Sequence, residues 1–243
     1  MKVACIIPSR YGSTRLPGKP LRLIGGEPLI RRVYERVILA KSPDLVMVAT
    51  DDERILKEVQ NFGGRAIITA KTHRTGTDRL AEAAENLIDY DIIINVQGDE
   101  PFISPAIIDQ LVNVLKNSRD LSMATVATPM KEKEYNDSSA VKVVMNQKQE
   151  ALYFSRSLIP YPREIKQFPV WKHVGIYAYR RDFLLHYAKM EQTPLEKVES
   201  LEQLRALENG YKIGVIITQT ESIGIDTEED LIRANEYWRR SKQ

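Results

Sequence analysis

One cysteine, Cys5, is all that this 243-residue chain contains, and it sits inside the apolar run Val3-Ala4-Cys5-Ile6-Ile7. A single thiol excludes an internal disulfide framework and a cysteine-based zinc site. Its apolar neighbours make it a small core residue in a reducing compartment. The three histidines, His73, His173 and His186, show no ligand spacing with one another, so no histidine metal centre is indicated. No Gly-x-Ser-x-Gly elbow is present. No apolar run approaches the roughly 20 residues of a membrane span. Lys2 and the few apolar residues before Pro8 and Arg10 are too short for a signal-peptide core. Neither sign of charge dominates, with 35 Lys and Arg against 33 Asp and Glu and a formal net charge of +2. That leaves no global basic field to attract nucleic acid. The expectation is a cytoplasmic protein with no nucleic-acid partner and no membrane insertion. A chain of this length can hide roughly 70–75% of its unfolded surface and needs no covalent staple.

What is present alternates. Val3–Ile7 is followed by Leu29, Ile30, Val33, Tyr34, Val37 and Ile38 at helical spacing, with Arg31, Arg32, Glu35 and Arg36 opposite. Strand patterns at Leu45–Thr50, Ala66–Ile68, Asp91–Val96 and Ser122–Ala127 alternate with helix patterns at Asp52–Phe62, Asp78–Leu87 and Ala106–Lys116. Near-continuous apolar strands separated by helices imply a parallel sheet covered on both faces. Beyond Thr128 the chain is richer in proline and aromatics, including Tyr161, Phe168 and Trp171, with a short helical stretch at Ala151–Ser157. Helical patterns return at Arg181–Lys189 and Leu195–Asn209, then a strand at Ile213–Thr218 and a helix at Thr227–Arg239. We expect a doubly wound α/β core over residues 1–128 and 211–243. Residues 129–210 form an insertion carrying a β-rich arm, whose exposed aromatics serve either as a dimer surface or as a plain surface subdomain.

Chemistry concentrates at the strand ends. Pro8-Ser9-Arg10-Tyr11-Gly12-Ser13-Thr14-Arg15-Leu16-Pro17-Gly18-Lys19-Pro20 places three cations, three serine or threonine hydroxyls and two glycines directly after the first strand. Glycines let a backbone approach a polyphosphate, and cations neutralise it. The loop has neither the Walker spacing nor Gly-x-Gly-x-x-Gly. In open parallel sheets, ligands bind outside the carboxyl ends of the strands. There the cationic loop is joined by Gln97-Gly98-Asp99-Glu100-Pro101 and Gly224-Ile225-Asp226-Thr227. Mg²⁺ bound with phosphates asks for one or two carboxylates, a demand that Asp99 and Asp226 meet. Asp226 also has a second reading, since Asp or Thr ahead of Glu228-Glu229-Asp230 can simply cap a helix. His73-Arg74-Thr75-Gly76-Thr77 is either a nucleoside-side loop or the cap of the helix that follows.

These residues carry a resemblance. Pro8–Leu21 is similar to the nucleotide loop of the 3-deoxy-manno-octulosonate cytidylyltransferase (CMP-Kdo synthetase) family. So are Ala49-Thr50-Asp51, Asn95–Pro101, Ala140–Val143, Ala151–Arg156, His173–Tyr177, Leu201–Arg205 and Gly224–Leu231, which together span nearly the whole chain. The resemblance implies a Rossmann-like fold of the nucleotide-diphospho-sugar transferase type. It implies transfer of CMP from CTP to the anomeric hydroxyl of the sugar acid Kdo, releasing pyrophosphate, with Mg²⁺ as cofactor and lipopolysaccharide assembly as destination. A homodimer is implied as well. Under this resemblance Ser9, Arg10, Gly12, Ser13, Arg15, Lys19, Arg74, Gly76, Thr77, Gln97 and Asp99 bind the nucleotide. Arg15 and Lys19 lie nearest the chemistry, while Asp99 and Asp226 hold the metal. Gln97, Arg156, His173, Tyr177, Glu202 and Gln203 would meet the sugar acid. Arg205 is read as part of a solvated helix face. The alternatives are the same chemistry on another acid sugar and a silent nucleotide-binding relative.

Overall fold

The computed structural model describes residues 1–13, 15–164, 168–220 and 224–241. Thr14, one of the three loop hydroxyls, lies outside the described residues. Backbone contacts divide the chain into two units, residues 1–109 with 222–243, and residues 110–221.

The first unit is organised around β1 (Val3–Ser9), whose residues Val3 to Ile7 are fully buried. After the short hairpin β2 (Leu23–Ile24) and β3 (Glu27–Pro28) come α1 (Leu29–Val37), β4 (Leu45–Thr50), α2 (Glu53–Asn61), β5 (Ala66–Ile68), α3 (Gly76–Glu85) and β6 (Ile92–Asn95). β1 pairs in parallel with both β4 and β6, and β4 pairs in parallel with β5. A strand covered on both faces and both edges can carry an unbroken apolar run, which explains the sequence from Val3 to Ile7. α1 turns Leu29, Ile30, Val33 and Val37 inward, as their spacing predicts, but Tyr34 is only half-buried and Ile38 is exposed. Arg32, expected on the opposite face, is buried with its guanidinium on the Ile24 and Gly25 carbonyls. Asp52 caps α2 by accepting from the Arg54 amide, and Gly63 follows the helix at φ 81, a left-handed conformation suited to glycine.

α4 (Pro105–Asn117) spans the division and leads into the second unit. There β7 (Met123–Pro129) is followed by β8 (Lys142–Met145), β9 (Ala151–Ser155), β10 (Trp171–Arg180), α5 (Arg181–Tyr187), α6 (Pro194–Glu199), α7 (Leu204–Glu208) and β11 (Ile213–Ile217). β7 pairs in parallel with β11 and antiparallel with β10, while β8 pairs antiparallel with β9 and β10. The expected insertion, 129–210, falls wholly within this unit, which also takes in β7 and β11 because both pair inside it. The chain closes with α8 (Glu228–Arg240) in the first unit. Asn235 on α8 accepts from the Gly25 amide and donates to the Leu23 carbonyl, and Trp238 lies 3.9 Å from the Arg32 guanidinium. Gly25 sits at φ 57 against the Trp238 indole, so any Cβ there would overlap the ring. Among the described residues, no helix is long and apolar enough to cross a membrane.

Two helical expectations are corrected. Ala151–Ser157 is not helical, because residues 151–155 form β9 and pair with β8, and this pairing outweighs local propensity. Leu195–Asn209 is two helices. Ser200 adopts φ 51 and ends α6, and α7 starts at Leu204. The break follows from Arg205, which is buried rather than solvated. Its guanidinium pairs with the buried Glu196 carboxylate at 2.5 Å and donates to the carbonyls of Tyr187 and Met190. A buried cation needs such partners, and folding the chain back at Ser200 provides them.

Candidate active site

The nucleotide-side residues all belong to the first unit. β1 delivers Ser9 to the carboxyl edge of the parallel strands, and the following loop is held from both sides. Leu16 is buried at 1% exposure and pins the loop into the core. Gly18 adopts φ 65 with the Tyr11 hydroxyl 3.1 Å from where a Cβ would stand, so the turn needs glycine twice over. The turn delivers Lys19 to Asp99 Oδ2 at 2.7 Å and Asp226 Oδ1 at 3.0 Å, and Arg15 lies 3.1 Å from Asp226 Oδ2. Burial works against the Lys19 ammonium. The carboxylates of Asp99 and Asp226 outweigh it and hold its pKa above the ordinary lysine value.

The two carboxylates are brought together by main chain. The Ile225 amide donates to the Asp99 carbonyl at 3.0 Å, and the Ile225 side chain is fully buried. The capping question for Asp226 is decided by its neighbour. Thr227 is the N-cap of α8 and shares a capping box with Asp230, so the Asp226 carboxylate is left to the cations. Gly98 lets the second strand-end loop lie close, since a Cβ would stand 3.0 Å from the Pro8 carbonyl and 3.5 Å from Ser9 Oγ. Ser9 Oγ is itself buried without a hydrogen-bond partner.

Ser9, Arg15, Lys19, Gly98, Asp99 and Asp226 line a pocket of about 410 Å³, with Arg10, Ser13, His73, Arg74, Thr75, Gly76, Arg79 and Gln97 among its other walls. A volume of this order suits a small-molecule ligand. Five lining residues are Arg or Lys and two are Asp. Arg10 and Arg74 have no ion-pair partner among the described residues. The excess of positive charge suits a polyphosphate. Gly12 is absent from the lining, and Thr77 is buried in the first turn of α3. Thr75 caps α3 through a box with Asp78, so the His73–Thr77 stretch both caps a helix and lines the pocket. Two participants escaped the sequence reading. Arg79 is buried and donates to Asp51 at 2.9 Å and to Thr69, and Asp51 also accepts from the Tyr11 amide at 3.4 Å. Asp51 directly follows β4, so the strand-end rule that picked Asp99 could have found it.

Asp99 and Asp226 fit a hard divalent cation. Each places an oxygen within 3.0 Å of one nitrogen, so the ammonium of Lys19 marks a point that both carboxylates can reach together. Among the described residues there is no group of three or more His, Cys, Asp and Glu that could hold an ion. Two carboxylates with remaining ligands from water and phosphate is the Mg²⁺ pattern, not the zinc one.

The sugar-side candidates apart from Gln97 belong to the second unit. His173 and Tyr177 lie along β10 with ring centroids 5.4 Å apart, and Tyr179 and Tyr187 continue the ladder. Burial, and then the nearby Glu202 carboxylate, push the Tyr177 phenol well above its usual pKa, so it stays protonated. Gln203 is buried at 4% exposure with Nε2 lacking a partner. Arg156 is engaged in the fold. Its guanidinium donates to the carbonyls of Glu199 (2.7 Å), Ser138 (2.9 Å) and Ser200 (3.3 Å), which ties β9 to the end of α6.

Residues 4–213 match the family model for cytidylyltransferases. A 3-deoxy-manno-octulosonate cytidylyltransferase of Fusobacterium nucleatum is 51% identical over 98% of this chain and 97% of its own length. An 8-amino-3,8-dideoxy-manno-octulosonate cytidylyltransferase of Shewanella pealeana is 48% identical over 95% of this chain and 96% of its own. A solved CMP:2-keto-3-deoxy-manno-octonic acid synthetase, in complex with CTP, superposes with a TM-score of 0.95 at 44% identity. It covers 99% of this chain and 100% of that one.

The separation of capping from charge pairing makes a prediction. Thr227→Val should cost about 1 kcal/mol of stability in urea unfolding while CTP affinity is retained. Asp226→Asn should change stability by less than about 1 kcal/mol and weaken binding of CTP with Mg²⁺, because its pairs are partly exposed. Equal stability losses in the two variants, with CTP binding intact in both, would return Asp226 to a capping role.

Proposed function

The chain belongs to the 3-deoxy-manno-octulosonate cytidylyltransferases, and from that membership we propose how its residues divide the work of the reaction. The enzyme transfers CMP from CTP to the anomeric hydroxyl of Kdo and releases pyrophosphate. Its product is an activated sugar destined for lipopolysaccharide assembly. The observation that carries the reading is the cluster of Lys19 on Asp99 and Asp226, set in a pocket of excess positive charge.

Phosphoryl-type transfer asks the protein mostly to position groups and stabilise charge. Arg10, Ser13 and Arg74 bind and orient the nucleotide, joined by Ser9 with its unpartnered hydroxyl. Arg15 and Lys19 stand closest to the carboxylates and so to the transferring phosphoryl group, where they stabilise charge on the leaving pyrophosphate. Asp99 and Asp226 would hold Mg²⁺, which when bound offsets phosphate charge and makes a coordinated hydroxyl more acidic. The hydroxyl of the sugar gives its proton to solvent water, and its oxygen forms the new bond to the α-phosphorus as the bond from that phosphorus to the α,β-bridging oxygen breaks and pyrophosphate leaves with the electron pair. His173, Tyr177, Glu202 and Gln203 recognise the sugar acid, and the two N–H groups of Arg156 not given to main-chain carbonyls would meet its carboxylate.

We place the enzyme in the cytoplasm as a homodimer. The exposed Tyr161 and Phe168 of the second unit support a contact between copies. Sedimentation velocity on the purified protein should give the mass of two chains, and a Tyr161→Asp, Phe168→Asp variant should shift it towards one. A wild-type monomer at micromolar concentration would remove the dimer.

The similarity to an 8-amino-3,8-dideoxy-manno-octulosonate cytidylyltransferase favours one second reading, the same reaction on the 8-amino sugar. A single assay separates the two. Pyrophosphate release is measured with each NTP, Mg²⁺, and either Kdo or its 8-amino analogue. The expected result is release with CTP and Kdo, and loss of about 10²–10³ in turnover for Lys19→Ala. Release only with the 8-amino sugar would transfer the reading to that substrate, and no release with either would sink it.

A further inference from the structure

Thr125 lies on β7 with no exposed surface, and its hydroxyl meets three groups of β10. The carbonyl of Ile176 is 2.9 Å away, that of Val174 is 3.3 Å away, and Nε2 of His173 is 2.9 Å away. The contacts fall where the β10 register against β7 slips between Val174 and Tyr177, a bulge that turns carbonyls out of the regular ladder.

A hydroxyl has one proton to give, and carbonyl oxygens can only accept. If Thr125 gave its proton to His173, its lone pairs would face two carbonyl oxygens in a buried site. That arrangement carries the cost of unsatisfied acceptors in low dielectric. Giving the proton to Ile176 or Val174 leaves the hydroxyl free to accept, and His173 must then be the donor.

We propose that Thr125 is a positioning residue that locks His173 as the neutral Nε2–H tautomer, leaving Nδ1 bare as an acceptor for a hydroxyl of the sugar acid. Nδ1 has no hydrogen-bond partner among the described residues, and no carboxylate of the described residues forms an ion pair with the ring. Phe154 and Tyr177 pack on the imidazole with ring centroids at 5.1 and 5.4 Å. His173 as a residue is half-buried, and its surroundings are dense enough that desolvation moves its pKa down to about 3. A neutral acceptor cannot pair with the sugar carboxylate and cannot act as a general acid. His173 therefore selects a hydroxyl, and recognition of the carboxylate falls to other residues. The tautomer stands on geometry alone, whereas the sugar contact rests on the function proposed above.

The test uses ¹⁵N-labelled full-length protein. Only three histidines are present, so His173→Asn assigns the His173 signals by difference. Long-range ¹H–¹⁵N correlation spectra at pH 7 should show the Nε2-protonated pattern for His173. Thr125→Val should lose that preference and raise the KM for Kdo by roughly 3- to 10-fold with the KM for CTP unchanged. Thr125→Ser, which restores the hydroxyl, should restore both. An Nδ1-protonated ring or an imidazolium in the wild type, or an unchanged tautomer in Thr125→Val, would overturn the lock. The expected tautomer with an unaltered Kdo KM in both Thr125→Val and His173→Asn would instead overturn the sugar contact, leaving the lock standing.

Discussion

Lys19 donates to carboxylates that stand 80 and 207 residues away in the chain, and the nucleotide side of the molecule is organised to make those two contacts possible. An ammonium at this depth is stable only with such partners. Two carboxylates this close are stable only with a cation between them. The requirement reaches outward into the fold. Gly18 must take a left-handed turn to aim Lys19, Ile225 must be buried to hold Asp226 beside Asp99, and Thr227 must cap α8 so that Asp226 need not. The hairpin after Lys19 is in turn fastened to α8 by Arg22 on Glu228 at 2.6 Å and by Asn235 on both sides of Gly25. Lys19 and Asp226 therefore belong to segments that are bound to one another on either side of the pair.

The same cluster balances its own carboxylates with cations of the same chain. Arg15 and Lys19 balance the carboxylates internally, while Arg10 and Arg74, without an ion-pair partner among the described residues, leave positive charge for an incoming nucleotide. The pocket is thus prearranged in charge as well as in shape. Prearranged charge is the condition under which electrostatic stabilisation of a transferring phosphoryl group costs little reorganisation.

Much of this was legible in the sequence because strand ends are. The unbroken apolar runs at Val3–Ile7 and Ile92–Ile94 demanded buried parallel strands, and the loops after them then had to share an edge. Local pattern was insufficient where a long-range partner decided the outcome. Thr227 and Asp226 are adjacent and both suit a cap, and only the folded geometry separates them, with Thr227 capping α8 and Asp226 turned to Lys19. Arg205 reads as a surface residue until Glu196, nine positions earlier, is folded back onto it. Residues 151–155 carry mixed propensities and became a strand because β8 was available to pair. Thr125 gives no signal at all in the sequence, since its role depends on a bulge in a strand some fifty residues later.

Asp99 and Asp226 are proposed to form one cation site completed by the nucleotide. Electron paramagnetic resonance of Mn²⁺, used in place of Mg²⁺, tests it directly by counting bound ion in the presence and absence of CTP. Strong Mn²⁺ binding is expected in the wild type only when CTP is present. Asp99→Asn and Asp226→Asn should each abolish that binding while the protein remains folded by circular dichroism. Undiminished CTP-dependent Mn²⁺ binding in either folded variant would contradict it.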